Sequence, residues 1–298
     1  MGLPLILSDG RLSAVVRPEL GAGLARLDYL VGRQPEALLR PGPPQGAADP
    51  FDLALQVLVP WSNRISSGGF AFAGRRVELS PNVAGEPFPI HGNGFSLPWE
   101  VIAATATSAT LRLLSDGPGS FRYAAELTYS ISSGHFTMAL AVRNTGSETL
   151  PFGLGFHPWF VRTPATQLQA SARAVWLETP EHLPAGRGAV AIPPTWDFST
   201  PTRLPDGFIN NCFVHWDGRA QINWPDRRLG VEVTASRSLG NYILYSPSGE
   251  AGFICFEPVS HPVDAFNMPG APEGNGLVVL APDQVTSAWV TMRAGRSE

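Results

Sequence analysis

The sequence predicts an all-β fold, built as one large single-domain β-sandwich of antiparallel sheets spanning residues 1–298. The 298-residue chain contains 31 Gly and 29 Pro, a content that favours many short strands joined by turns over long helices. Its hydrophobic fraction of 44% is sufficient for a sizeable core. Short apolar segments recur along the whole chain, with neither a repeat of fixed period nor a linker to divide it.

The first half of the chain predicts four hairpins, each formed by two apolar segments around a turn signal. The clearest covers residues 123–131 and 136–142, where Tyr123, Ala125, Leu127, Tyr129 and Ile131 alternate onto one face around the turn Ser133-Gly134. The other three pair residues 5–7 with 12–16, 69–72 with 76–79, and 99–105 with 110–114.

The second half continues in the same style, and only residues 35–40 indicate a helix, a short one. The predicted strands are residues 167–177, 220–224, 229–234, 242–245, 252–256 and 285–292.

Charge and composition exclude several classes of function. The net charge is −4 and no basic cluster exceeds two residues, so we expect no nucleic-acid partner and no anionic membrane surface. All 21 basic residues are arginine, which excludes lysine Schiff-base chemistry and a P-loop. The two cysteines form no CxxC pair, and the five-residue apolar run near the N-terminus is too short for a signal sequence. We therefore expect a cytoplasmic protein.

Four stretches place polar residues beside aromatic side chains in Gly/Pro-rich contexts, where a ligand can approach closely. They are PWSNRI at residues 60–65, HGNGF at 91–95, GFHPWF at 155–160 and CFEPVSHPVDAFN at 255–267.

Glu257 follows a predicted apolar strand, on the same face as Phe253 and Cys255. Partial desolvation there would raise the pKa of its carboxyl toward the range of a general base. Because Pro258 comes next, we expect the strand to end at Glu257 and a cleft to open beside it. A glutamate that ends a strand in solvent or caps a turn explains the same pattern.

Two histidines and one arginine are further candidates. His157, held extended by Pro158, combines a group that titrates near neutral pH with the aromatic platform of Trp159, although a core histidine fits equally. His91 lies in a glycine-rich loop. Arg64 and Asn63 suit several sugar hydroxyls, but an internal salt bridge accounts for Arg64 as well.

Together, in this order, the four stretches resemble the aldose 1-epimerase (galactose mutarotase) family, and most closely a bacterial branch of it. The resemblance implies a galactose mutarotase-like supersandwich and ring opening of a small-molecule aldose substrate by a general base, Glu257, and a general acid, His157. It implies that His91, Arg64 and Asn63 contact the sugar. It requires no metal and no other cofactor.

One position departs from the family pattern. An Asp usually precedes a short aromatic motif there, and the aligned residue here is Asn210, which can bind hydroxyls but carries no charge. This difference affects the expected substrate preference more than the expected reaction class.

Three other functions are compatible with parts of the pattern. A glycoside hydrolase or lyase would need a second carboxylate, for which Asp264 is the best candidate, although it more plausibly orders its loop. A carbohydrate-binding or sensing protein would keep the pocket without turnover. His91, His157 and Glu257 would also suit zinc, although the close spacing of zinc-protease motifs is missing.

Overall fold

A computed structural model of the protein describes residues 4–31, 34–43 and 49–296. Within these residues it contains 23 strands and five short 3₁₀ helices. The strands are β1 (Leu5–Ser8), β2 (Leu12–Arg17), β3 (Gly23–Tyr29), β4 (Glu36–Ala37), β5 (Leu55–Leu58), β6 (Gly69–Phe72), β7 (Arg75–Glu78), β8 (Glu100–Ala104), β9 (Ser108–Ser115), β10 (Tyr123–Ser132), β11 (His135–Asn144), β12 (Leu150–Phe152), β13 (Gly155–Val161), β14 (Gln167–Ala170), β15 (Ala174–Trp176), β16 (Thr202–Arg203), β17 (Ile209–Val214), β18 (Arg219–Trp224), β19 (Leu229–Ala235), β20 (Asn241–Ser246), β21 (Phe253–Val259), β22 (Val278–Leu280) and β23 (Val285–Arg296). The 3₁₀ helices are Pro50–Asp52, Pro194–Trp196, Pro225–Arg227, Ala265–Asn267 and Pro272–Asn275.

Two large antiparallel sheets form the molecule, which confirms the predicted fold class. A ten-stranded sheet runs β1-β2-β3-β5-β13-β21-β20-β17-β15, with β4 attached to β3. A nine-stranded sheet runs β16-β14-β18-β19-β23-β11-β10-β9-β8. All four predicted hairpins are present, as β1–β2, β6–β7, β8–β9 and β10–β11.

The hydrophobic core lies between the two large sheets, because alternation sends every second side chain inward. On β10, all five residues predicted to share a face are buried. Hydrogen bonds also cross the core: the indole of Trp224 on β18 donates to the carbonyl of Val161 on β13, at 2.8 Å. The other face of the ten-stranded sheet carries a separate small apolar cluster, formed by Cys212, Val214, Ile243 and Val259.

Two local predictions were wrong. The segment 35–40 forms no helix, since Glu36 and Ala37 pair as β4 with Tyr29 and Asp28. The segment 167–177 is two strands, because the chain leaves the nine-stranded sheet after Ala170 and joins the ten-stranded sheet at Ala174. Side-chain alternation does not reveal which sheet a strand joins.

None of the helices in the described part of the chain is long and apolar enough to cross a membrane.

Candidate active site

The candidate residues lie on the face of the ten-stranded sheet that points away from the nine-stranded sheet. Register places His157 on β13 opposite Glu257 on β21, since the flanking pairs are Gly155 with Val259 and Trp159 with Cys255. The same row continues to Ile243 on β20 and Cys212 on β17. A neighbouring row contains Trp159, Cys255, Tyr245 and Asn210. The predicted common face of Phe253, Cys255 and Glu257 is consistent with this arrangement.

His157 and Glu257 form a buried pair. The Nε2 atom of His157 lies 3.3 Å from the Oε1 atom of Glu257, and the two residues are 7% and 2% exposed. The other carboxylate oxygen of Glu257 is buried without a hydrogen-bond partner among the described residues. A buried carboxyl oxygen with no partner is costly, so it is available to a ligand hydroxyl.

The expected strand end at Glu257 was wrong, because β21 continues through Pro258 to Val259. Proline supplies no N–H but accepts extended backbone angles, so Pro158 and Pro258 interrupt the ladder instead of ending the strands. The pairing of β13 with β21 is interrupted after Gly155 and resumes at Trp159. The pair therefore lies at a gap within the sheet, not at its edge.

Burial determines the protonation of the pair. It raises the pKa of the Glu257 carboxyl well above its ordinary value, although the nearby Arg64 cation acts in the opposite direction. Burial likewise lowers the pKa of His157 to about 3, and the Arg40 cation adds to this effect. Burial thus favours a protonated carboxyl beside a neutral imidazole in the free pair.

His91 is locked to the Asn63 backbone by two hydrogen bonds. Its ring Nδ1 accepts the backbone N–H of Asn63 at 3.0 Å. The backbone N–H of His91 donates to the backbone carbonyl of Asn63, also at 3.0 Å. Because Nδ1 is an acceptor, the ring proton of neutral His91 resides on Nε2. Burial lowers the pKa of His91 well below its ordinary value, and the charges of His157 and Arg64 lower it further. The two imidazoles meet edge to face, with centroids 5.4 Å apart.

Arg64 forms the internal ion pair that the sequence left open. Its Nε and Nη2 atoms donate to the two carboxylate oxygens of Glu86, at 2.9 and 2.8 Å. The remaining amino group, Nη1, lies 3.4 Å from the amide oxygen of Asn63. The two bonds to Glu86 fix the plane of the guanidinium group, so that its Nη1 atom faces Asn63.

Trp159, predicted to be an aromatic platform, packs against His157. The two rings stack, with centroids 5.1 Å apart. The indole N–H donates to the Gln56 amide at 2.8 Å, and the Arg40 guanidinium lies 3.9 Å from the indole centroid. Sequence reasoning missed Gln56 and Arg40, since neither belongs to a recognisable motif.

The loop after β21 orders the loop that contains Asn63 and Arg64. The Asp264 carboxylate accepts the Ser66 N–H at 2.8 Å and its hydroxyl at 2.7 Å. Buried His261 accepts the N–H of Ser62 at 3.2 Å. Asp264 is thus occupied in ordering this loop, and its position offers no support for a second hydrolytic carboxylate.

Asn210 belongs to a polar cluster with Glu178 and His182. Its amide donates to Glu178 Oε2 at 2.9 Å, and His182 Nδ1 lies 2.9 Å from the same oxygen. Sequence reasoning missed Glu178 and His182, which lie on the loop following β15 and outside the four motifs.

The zinc alternative also takes a different form. Among the described residues, the ligand atoms that lie within 4.8 Å of one another belong to His157, Cys255 and Glu257. His91, which completed the predicted set, is outside this group and directs Nδ1 to Asn63.

Comparisons with known proteins agree with the fold and with the family that the sequence resembles. A family model described as aldose 1-epimerase matches residues 5–293. The protein YphB of Escherichia coli (strain K12), described as uncharacterized, is 33% identical over 267 residues, which cover 88% of this chain and 90% of YphB.

Solved structures show the same architecture. A crystal structure from E. coli K12, described provisionally as an aldose 1-epimerase, has a TM-score of 0.89 at 30% identity and covers 98% of this chain and 99% of its own. A galactose mutarotase-like protein from Clostridium acetobutylicum has a TM-score of 0.84 at 18% identity, over 98% and 95% of the two chains. The second likeness concerns the fold alone.

Proposed function

Because the chain belongs to the aldose 1-epimerase family, we propose that it is a mutarotase interconverting the α and β anomers of a free aldose. The observation that carries this proposal is the buried contact between Glu257 and His157. Ring opening requires one group to remove a proton and another to donate one, and a carboxyl beside an imidazole provides both.

In the proposed reaction, the carboxylate of Glu257 removes the proton from the C1 hydroxyl while protonated His157 donates to the ring oxygen. The C1–O5 bond breaks as the C1 carbonyl forms. Rotation about C1–C2 turns the other face of the aldehyde toward O5, and closure returns both protons. Each positioned proton transfer contributes roughly 10²–10⁴-fold to the rate.

The protonation of the free site fits the middle of this cycle. After ring opening, Glu257 carries a proton and His157 is neutral, which is the distribution that burial favours. A free site begins a turnover by passing the single proton from Glu257 to His157 across the 3.3 Å contact. The two residues then exchange acid and base roles between opening and closure.

His91 and the Asn63–Arg64 segment would hold the sugar. The Nε2–H of neutral His91 is a fixed donor suited to the ring-oxygen region, because Asn63 holds the opposite nitrogen. The amino end of Arg64, fixed by Glu86, is suited to a hydroxyl.

Polarimetry tests the proposal directly. Freshly dissolved α-D-galactose and α-D-glucose should reach their unchanged final rotation faster with the protein present. Glu257→Gln keeps the shape and removes the base, so the rate should fall by about 10² or more. A near-normal rate in Glu257→Gln would remove Glu257 from the mechanism. No acceleration with either sugar, but saturable sugar binding, would identify a binding protein instead.

A further inference from the structure

The Glu178 cluster shares one face of the sheet with the catalytic pair. Asn210 is two residues from Cys212 on β17, and the row of Cys212 leads through Ile243 to Glu257. Strand and residue spacings place the Asn210 and Glu257 Cα atoms about 12 Å apart. A sugar ring that spans this distance would contact each group through a different hydroxyl.

Two oxygen atoms that the cluster leaves unpaired are hydrogen-bond acceptors. The Asn210 amide and His182 Nδ1 both lie against Glu178 Oε2. Glu178 Oε1 and the Asn210 amide oxygen have no hydrogen-bond partner among the described residues. Both are acceptor atoms, and sugar hydroxyls are donors of matching chemistry.

The cluster also lines a small cleft that extends to Asn63. The residues lining it include Glu178, His182, Asn210, Asn63 and Ile243. Ile243 is paired with Glu257, and Asn63 holds His91. The acceptor atoms therefore lie in a cleft that adjoins the groups assigned to the chemistry through Ile243 and Asn63.

We propose that Glu178, oriented by Asn210 and His182, is a substrate-binding residue that selects neutral aldoses with free hydroxyls. This inference rests on the proposed function and specifies its substrate class. The Glu178 carboxylate would accept hydroxyl protons in charge-assisted bonds, which are stronger than those of an amide. It supplies beside Asn210 the negative charge that Asn210 itself lacks. A sugar carboxylate or phosphate at this end would meet that charge and be repelled.

The test compares Glu178→Gln with Glu181→Gln. Glu181 is an exposed carboxylate of the same loop, three residues away and outside the cleft lining. Titration of D-galactose and D-glucose, followed by tryptophan fluorescence, gives the dissociation constant without requiring turnover. Glu178→Gln should weaken binding about 10–100-fold, as expected for loss of a bond to a charged group, with a matching rise in KM and little change in kcat. Glu181→Gln should match the unmodified protein.

A series of deoxy sugars tests the contact itself. One deoxy sugar should bind the unmodified protein much more weakly than its parent sugar does. That deoxy sugar should lose little further affinity in Glu178→Gln, because the missing hydroxyl and the missing carboxylate are the two ends of the same hydrogen bond. If Glu178→Gln is unstable by thermal denaturation, Asn210→Ala, which leaves Glu178 in place but unoriented, should give a weaker effect of the same kind.

The outcomes separate this inference from the proposed function. Unchanged sugar affinity in folded Glu178→Gln overturns the Glu178 assignment, even if mutarotation is fast. Sugar binding that depends on Glu178 without any mutarotation supports the assignment and overturns the catalytic proposal. Tight binding of a sugar acid or sugar phosphate by the unmodified protein would also contradict the Glu178 assignment. So would the failure of the unmodified protein to bind any aldose.

Discussion

The contact between His157 and Glu257 concentrates the chemistry in a few atoms. Motif order predicted both residues, and strand alternation predicted that Glu257 shares a face with Phe253 and Cys255, because side chains two apart on a strand share a face. That His157 lies opposite Glu257 was not predicted. Arg40, Gln56 and Glu86, which orient or polarise the predicted residues, come from other parts of the chain. A single sequence holds no record of such contacts between distant segments.

Removing the acid should separate catalysis from binding. His157→Asn should lower kcat by about 10² or more, since one positioned proton transfer is lost. Sugar affinity should change less, because the assigned hydroxyl contacts lie on other residues. Polarimetry gives kcat and fluorescence titration gives affinity, with His135→Asn, on the exposed β10–β11 turn, as the control. Complete loss of binding would make His157 a ligand-holding residue.

The pH dependence should differ from that of an ordinary histidine acid. The pair needs one proton in total, and it keeps this state from the His157 pKa of about 3 up to the raised pKa of Glu257. The enzymatic part of kcat/KM, corrected for the buffer rate, should therefore fall as pH rises through the raised pKa of Glu257, and should show no step at the ordinary imidazole pKa. A decline centred on the ordinary imidazole pKa would contradict the shared-proton scheme.

Among the elements, the loop carrying His91 is held in close contact with the backbone of another segment. Gly92 has a φ of +68°, and a Cβ there would lie 2.2 Å from the Val59 carbonyl oxygen. The sequence pattern indicated close approach at this loop but could not show that the neighbour is the protein's own backbone.

Gly92→Ala should therefore displace His91. We expect the free energy of unfolding to fall by about 3 kcal/mol, together with a clear drop in kcat/KM. Gly85→Ala is the matched control, since Gly85 has a φ of +84° and nothing within 4 Å of an added Cβ. Thermal denaturation and polarimetry of both variants isolate the steric contact from the strain common to both. Equal losses in the two variants would show that contact with Val59 is unimportant.

The β13 and β21 strands show where pattern reasoning stops. Pro258 was expected to end β21. Instead, Pro158 on β13 and Pro258 on the adjacent β21 interrupt the pairing between these strands, which only the contact between distant segments reveals. The split of residues 167–177 has the same origin, since sheet membership is a tertiary property.

For the whole molecule, buried neutral histidines couple stability to pH. Burial lowers the pKa of His157 to about 3 and of His261 to about 4, and lowers that of His91 well below its ordinary value of 6.5. Below pH 6.5 the unfolded chain binds these protons and the folded protein does not, so their stabilising contribution is lost as pH falls. Glu257, whose folded pKa is raised, acts oppositely and loses stability as pH rises above 4.5.

Three buried histidines oppose one buried carboxyl, so unfolding near pH 5 takes up protons on balance. These groups should therefore make the unfolding free energy decrease as pH falls through this range. Denaturant titrations between pH 4.5 and 8 measure this slope, which His261→Asn should reduce and exposed His135→Asn should leave unchanged. A slope unaffected by His261→Asn would mean that this histidine is protonated in the folded protein.

The division of the site between strands and a loop has an evolutionary consequence. The proposed acid and base lie on adjacent central strands, where a shift of one residue would turn both side chains into the core. Glu178 and His182 lie on a connecting loop, and loops tolerate substitution and changes of length. Descendants of this sequence could therefore acquire new sugar preferences by remodelling one loop, while inheriting the reaction unchanged.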